Sequence, residues 1–169
     1  APAAPAPAAG RVSTCSTGGV PTADVPSDRV TDVLVVDGAN VVGSRPDGWW
    51  RDRPGAAARL HRRLGATVGL ADRIVLVLEG RARPGVPAGR GGPEDPRTVV
   101  EVVHATGAGD DRIVVEATAA VADGAAVTVV TADRDLARRV VEVGAAVLGP
   151  GRLLDRLVSD RDAARDRLD

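Results

Sequence analysis

Lysine, glutamine, phenylalanine, tyrosine and methionine do not occur anywhere in this chain. Each absence excludes something. Without lysine there is no Gly-Lys-Ser/Thr phosphate loop, no Schiff-base nucleophile, and no receiver-type phosphoacceptor site, which pairs its strand-end acid with a lysine. All 22 basic residues are arginine; beside the Ala/Gly/Val/Asp/Pro bias, this reads as codon usage rather than function. The single cysteine, Cys15, can close no intramolecular disulfide and has no partners for a zinc site. Aromatic residues are confined to Trp49 and Trp50, so the core must be built from Val, Ala, Leu and Ile. No apolar run approaches the ~20 residues of a membrane span, and no basic-then-apolar signal peptide opens the sequence. A soluble cytoplasmic protein is therefore expected. With 23 acidic and 22 basic residues the net charge is −1. No global basic field draws in nucleic acid, so any polyanion site must come from local arginines or bound metal.

What is present alternates along the chain. Residues 1–28 are rich in Ala, Pro, Gly, Ser and Thr without periodicity, and read as a disordered tail. Residues 29–169 read as one domain, long enough to bury a core. Apolar runs predict strands at Val33–Asp37, Arg73–Glu79, Thr98–Ala105, Ala126–Thr131 and Ala145–Leu148. Helices are predicted from Arg53 to about Leu64, from a cap at Gly109 or Asp110, from Asp133, and from Pro150. Their inward stripes are Ala57, Leu60 and Leu64, then Ile113, Val114, Ala117 and Val121, then Leu136, Val140 and Val141, then Leu153, Leu154 and Leu157. Gly80 to Pro96 reads as a long surface loop. Strands alternating with helices predict an α/β fold whose parallel sheet is covered on both faces.

The only asparagine, Asn40, closes the segment Val33-Leu34-Val35-Val36-Asp37-Gly38-Ala39-Asn40. Asp37 ends the first strand, and ligands of open α/β sheets gather at the carboxyl ends of strands. The other acids fall at equivalent places. Glu79 ends the second strand, Asp110 and Asp111 open the helix after the third, and Asp133 and Asp135 follow the fourth. If the first and fourth strands are neighbours, Asp37, Asp133 and the Asp110–Asp111 pair converge. Two carboxylates ~4 Å apart repel by about 4 kcal/mol at an effective dielectric of 20. Such a group stays ionised only beside a cation, and Mg²⁺ or Mn²⁺ suits oxygen ligation with retained waters. Metal-assisted phosphodiester hydrolysis is the natural reaction class.

Three of these segments, Asp37-Gly38-Ala39-Asn40-Val41, Gly109-Asp110-Asp111-Arg112-Ile113-Val114 and Val130-Thr131-Ala132-Asp133, resemble the NYN-domain ribonucleases, a branch of the PIN-like nucleases that includes the bacterial YacP-like proteins. The resemblance runs from about Val30 to Leu157. It implies a three-layer α/β/α fold with a parallel sheet of about five strands in the order 3-2-1-4-5. It further implies one or two Mg²⁺ or Mn²⁺ ions and endonucleolytic cleavage of single-stranded or structured RNA, with a ribosome association and a monomeric or homodimeric state. Asp37, Asp110 or Asp111, and Asp133 would hold the metal, Asp135 standing where many PIN-like members carry a further acid. Asn40 would orient Asp37, a water or a phosphate. Catalysis would thus rest on Asp37, Asn40, Asp111 and Asp133.

Plainer readings compete. Asp37 and Asp133 can each simply cap a turn or helix, Asn40 can serve as a left-handed turn residue, and Asp135 can complement a helix dipole. One tryptophan can lid the core, whereas Trp49 and Trp50 beside Arg45, Arg51 and Arg53 can also form a base-stacking and phosphate-binding platform. His61 reads as a surface residue and His104 as a structural one. Arg81, Arg83, Arg90 and Arg97 read as a solvated loop or an RNA clamp. Two other functions fit the same acids: a non-catalytic RNA-binding module, or a nucleotide phosphohydrolase.

Overall fold

Every residue from Val33 to Val36 is apolar and buried, because a central parallel strand meets helices on both faces and leaves no side for polar residues. The computed structural model describes residues 30–90 and 99–165; the predicted tail at 1–28 lies outside them. Strands β1 (Asp32–Asp37), β2 (Arg73–Leu78), β4 (Val99–His104), β5 (Ala126–Val130) and β6 (Ala146–Leu148) are mutually parallel, and a two-residue strand, β3 (Gly89–Arg90), adds antiparallel to β4. The order is β3-β4-β2-β1-β5-β6. Without the short edge strand this is the expected 3-2-1-4-5. Val35 lies opposite Val75 on one side and Val129 on the other. β1 is thus central, and the order reverses beside it.

Alternate residues of these strands feed two cores. Leu34, Val36, Ile74, Leu76, Val100 and Val102 face one helical layer. It comprises α1 (Gly38–Gly43), α2 (Arg53–Ala66) and α5 (Pro150–Arg165). Val33, Val35, Val75, Val77, Val127 and Val129 face the other, α3 (Gly109–Ala122) and α4 (Arg134–Glu142). Full burial of each such side chain contributes roughly 1.5–3 kcal/mol. α2 starts where expected: the Asp52 carboxylate accepts from Gly55 N at 2.9 Å, and Ala57, Leu60 and Leu64 are buried. Val141, expected to point inward, is 58% exposed, since Leu136 and Val140 already define the buried stripe of α4.

The predicted loop after β2 is more ordered than its Gly/Pro content suggested. Gly80–Gly85 forms a 3₁₀ helix, Val86 is buried in the first core, and β3 follows. Of its arginines, Arg83 reaches the Gly80 carbonyl at 3.4 Å, Arg90 lies 3.5 Å from Glu101, and Arg97 is outside the described residues. Among the described residues, no helix is long and apolar enough to cross a membrane.

Candidate active site

The carboxyl end of β1 runs directly into α1, and Gly38 makes that junction possible. A Cβ there would stand 2.7 Å from the Val77 carbonyl oxygen and 2.8 Å from Leu78 Cδ2. Asp37 is buried at this turn and caps α1. Its Oδ1 accepts from Asn40 N at 3.0 Å; its Oδ2 accepts from Asn40 Nδ2 at 2.8 Å and from the Thr131 hydroxyl at 3.1 Å. Asn40 spends its other amide atom on the neighbouring strand end, where its Oδ1 accepts from Ala132 N at 3.3 Å. It lies in the first turn of a right-handed helix, so the left-handed turn reading is excluded. Its work is to hold Asp37 and to tie the end of β1 to the end of β5.

The same clasp continues into the next acid. Thr131 Oγ1 accepts from Asp133 N at 3.1 Å, and Asp133 Oδ1 caps α4 by accepting from Asp135 N at 2.8 Å and Leu136 N at 2.9 Å. Asp133 is therefore the N-cap of α4, placed just beyond the carboxyl end of β5. On the other side of β1, the Glu79 carboxylate accepts from Gly109 N at 2.8 Å. Ala108, at the start of α3, offers no side-chain cap. Glu79 supplies one from the adjoining strand, and a Cβ at residue 109 would press within 2.7 Å of its Oε2.

Asp110 and Asp111 part company. Partial burial, then the charges of Asp37, Asp133 and Glu79, push the Asp110 carboxyl above its ordinary range, with Arg139 acting in opposition. Asp110 thus sits in the negative field of acids from three other elements. The cap expected at Gly109 or Asp110 falls on Ala108 instead. Asp111 is turned outward, 71% exposed, and pairs with Arg139 at 2.6 Å. Asp135 is likewise 74% exposed and pairs with Arg138 at 2.6 Å. Helix phase could have separated the first two: Asp110 lies three residues before buried Ile113 and seven before buried Ala117, whereas Asp111 is about 100° off that face. Glu79, marked only as a strand-end acid, belongs to the group.

The arrangement can bear on a divalent ion in a specific way. Among the described residues, no three His, Cys, Asp or Glu side chains are arranged to hold a metal ion. The donors are nevertheless hard carboxylate oxygens, and their repulsion at Asp110 exceeds the opposing attraction of Arg139. They fit a Mg²⁺-like ion held by one or two carboxylates and several waters, the usual mode where substrate phosphates complete the shell.

The fold has close counterparts. A crystal structure of Rae1 (YacP) from Bacillus subtilis superposes with a TM-score of 0.64 at 21% identity, covering 81% of this chain and 79% of that one. A point variant of the same protein gives 0.62 at 22%, covering 79% and 80%. The chain has the Rae1 (YacP) fold. No family model and no curated protein sequence matches it.

The residues expected to hold substrate are dispersed. Trp49, in a 3₁₀ turn (Trp49–Arg51), is half-buried, with Arg53 stacked 5.2 Å from its ring centroid and Trp50 edge-on at 6.2 Å. Neither tryptophan enters the core; Trp49 covers Gly43 at the end of α1, and Trp50 is 51% exposed. Arg51 is exposed, and Arg45 turns toward Asp155 of α5 at 3.6 Å. His104 is structural, its Nε2 lying 2.9 Å from the Val86 carbonyl oxygen. His61 is half-buried rather than a surface residue, and burial lowers its pKa.

Proposed function

We propose that this chain is a metal-dependent endoribonuclease of the NYN-domain type, hydrolysing RNA phosphodiesters at the rim formed by Asp37, Glu79, Asp110 and Asp133. The observation that carries the reading is the gathering of Asp37, Glu79, Asp110 and Asp133 at the carboxyl ends of β1 and its neighbours, where burial and the other three acids raise the Asp110 pKa. Acids gathered at a topological switch point destabilise one another and are retained where they do chemistry. The shared fold with Rae1 (YacP) and the three acidic motifs support it.

In this reading Asp37, Asp110 and Asp133 hold the ion, and Glu79 takes a supporting place. Mg²⁺ or Mn²⁺, when bound, neutralises charge on a phosphate and lowers the pKa of a bound water. The protein's own share is orientation. Asn40 and Thr131 occupy one edge of Asp37 and aim the carboxylate, while Asp133 is held by two backbone amides. Asp111 and Asp135 neutralise Arg139 and Arg138 on the outer surface.

One observation favours a second reading, a non-catalytic RNA-binding module: the acids do not form a closed ligand set. Titration with MnCl₂ or MgCl₂, followed by melting temperature and by cleavage of a fluorescent single-stranded RNA, separates the two. The nuclease raises its melting temperature at millimolar ion and cuts the RNA, and Asp37→Asn abolishes cutting without unfolding the chain. RNA binding with no turnover in ion-saturated protein would establish the module instead.

A further inference from the structure

A cavity of about 520 Å³ lies between α1, α2 and α5. Its apolar wall includes Leu60, Leu154 and Leu157, all buried. Its charged lining consists of Arg45, Arg59, Arg62, Arg63 and Asp47, with Asp155 and Asp52 pairing with two of the arginines at its edge. In a chain of net charge −1, four arginines around one cavity are a local concentration of guanidinium groups. Helix geometry explains the gathering: Arg59, Arg62 and Arg63 are spaced i, i+3 and i+4 along α2, flanking buried Leu60.

We propose that this cavity is a second binding site that takes an unstacked nucleotide of a single-stranded RNA, with the arginines on the flanking phosphates. It rests on the nuclease reading and names how the substrate strand is held. The volume lies within the range of small-ligand pockets, about 300–1,000 Å³. An aliphatic wall with guanidinium planes suits the face of a base and its backbone charge, and bases must be splayed from a helix to use it. Two of the arginines are held only by exposed pairs, Arg45 with Asp155 at 3.6 Å and Arg59 with Asp52 at 3.5 Å. Such pairs are worth about 0–1 kcal/mol and exchange readily for phosphate. The cavity is also within reach of the rim: Val41 and Val42 line it from α1, and Val41 is four residues, about 6 Å of helix rise, beyond Asp37.

Binding of a fluorescein-labelled single-stranded oligoribonucleotide to the full chain, by anisotropy in EDTA, tests the site apart from catalysis. Arg59 and Arg62 are exposed, so Arg59→Ala/Arg62→Ala folds, which a melting curve checks. On a single strand each phosphate contact contributes about 0.7 to the salt slope of log K, so the pair should lower the slope by about 1.4 and weaken binding roughly twentyfold at 0.1 M salt. Arg62→Ala alone should weaken binding more than Arg112→Ala, which removes the same charge from α3 in the opposite layer. Equal effects of these two, or an unchanged slope in the double variant, would overturn the site. Displacement of the RNA by poly-L-glutamate at equal charge concentration would overturn the choice of RNA in favour of an acidic peptide. Loss of the nuclease reading shows separately, as wild-type protein that binds RNA and never cuts it.

Discussion

Replacing Asn40 with alanine removes two contacts that hold the end of β1. One is a donor to a carboxylate, Asn40 Nδ2 to Asp37 Oδ2 at 2.8 Å; the other accepts from Ala132 N at 3.3 Å. A hydrogen bond to a charged group contributes about 1.5–3 kcal/mol and a neutral one about 1. The lower end applies. Asp37 Oδ2 keeps the Thr131 hydroxyl, and the freed Ala132 amide can turn to water. The cost is therefore about 2 kcal/mol, which for a domain of this size lowers the melting temperature by about 6–8 °C. Asn40→Asp sharpens the test, because the isosteric side chain puts a second carboxylate against Asp37. At neutral pH the repulsion makes this variant less stable than Asn40→Ala. Protonation relieves it. The pair binds a proton more tightly folded than unfolded, so its folded pKa is raised and the penalty is present above that value. The penalty fades as pH falls toward the unfolded value near about 4. Thermal melts of both variants from pH 7.5 to 4 should therefore converge at the acid end. An Asn40→Ala protein melting within a degree of wild type would mean that the amide clasp holds nothing, and parallel melting curves for the two variants would refute the carboxylate contact.

Two further expectations use the same rim. Asp110→Asn should raise the melting temperature at pH 7 in EDTA, because the folded carboxyl has a raised pKa and its ionised form disfavours the fold. That gain should shrink as pH falls through the raised value and vanish below the unfolded one, whereas a variant less stable than wild type at pH 7 would contradict it. Gly38→Ala should cost about 1–3 kcal/mol, since its Cβ meets the fixed Val77 carbonyl oxygen and Leu78; chemical denaturation reads this directly, and an unchanged midpoint would show that the junction is looser than its contacts.

Much of this architecture was legible before any coordinates. A strand buried on both faces has no freedom for polar residues, so Val33 to Val36 reads as one uninterrupted run. Carboxylates directly after such runs locate the rim, since strand ends and helix starts of a parallel sheet share one edge. Short elements were not legible. α1 offers six residues, two of them glycine, with no room for a helical period, and β3 offers only Gly89 and Arg90. The division of labour between Asp110 and Asp111 was legible in helix phase, but the partner of Asp111, Arg139, is 28 residues away. The same distance problem hid Glu79, whose partner Gly109 is 30 residues along. The arginine cavity needed α5 docked on α1 and facing α2 across the gap, an arrangement no local pattern announces.

The amide of Asn40 and the hydroxyl of Thr131 belong to segments more than ninety residues apart in the chain, yet both fix the same carboxylate. The site is consequently completed by long-range contacts. Pairing of β1 with β2 can form from the first half of the domain, but Asp37 acquires its hydroxyl partner, and Asn40 its amide partner, only after β5 has docked. A chain ending before Thr131 possesses three of the four rim acids and lacks the strand end that aims them. Loop closure over so long a separation is slow compared with local helix formation. Truncation upstream of β5 therefore leaves Asp37 and Asn40 without the partners that fix them, whatever helices have already formed.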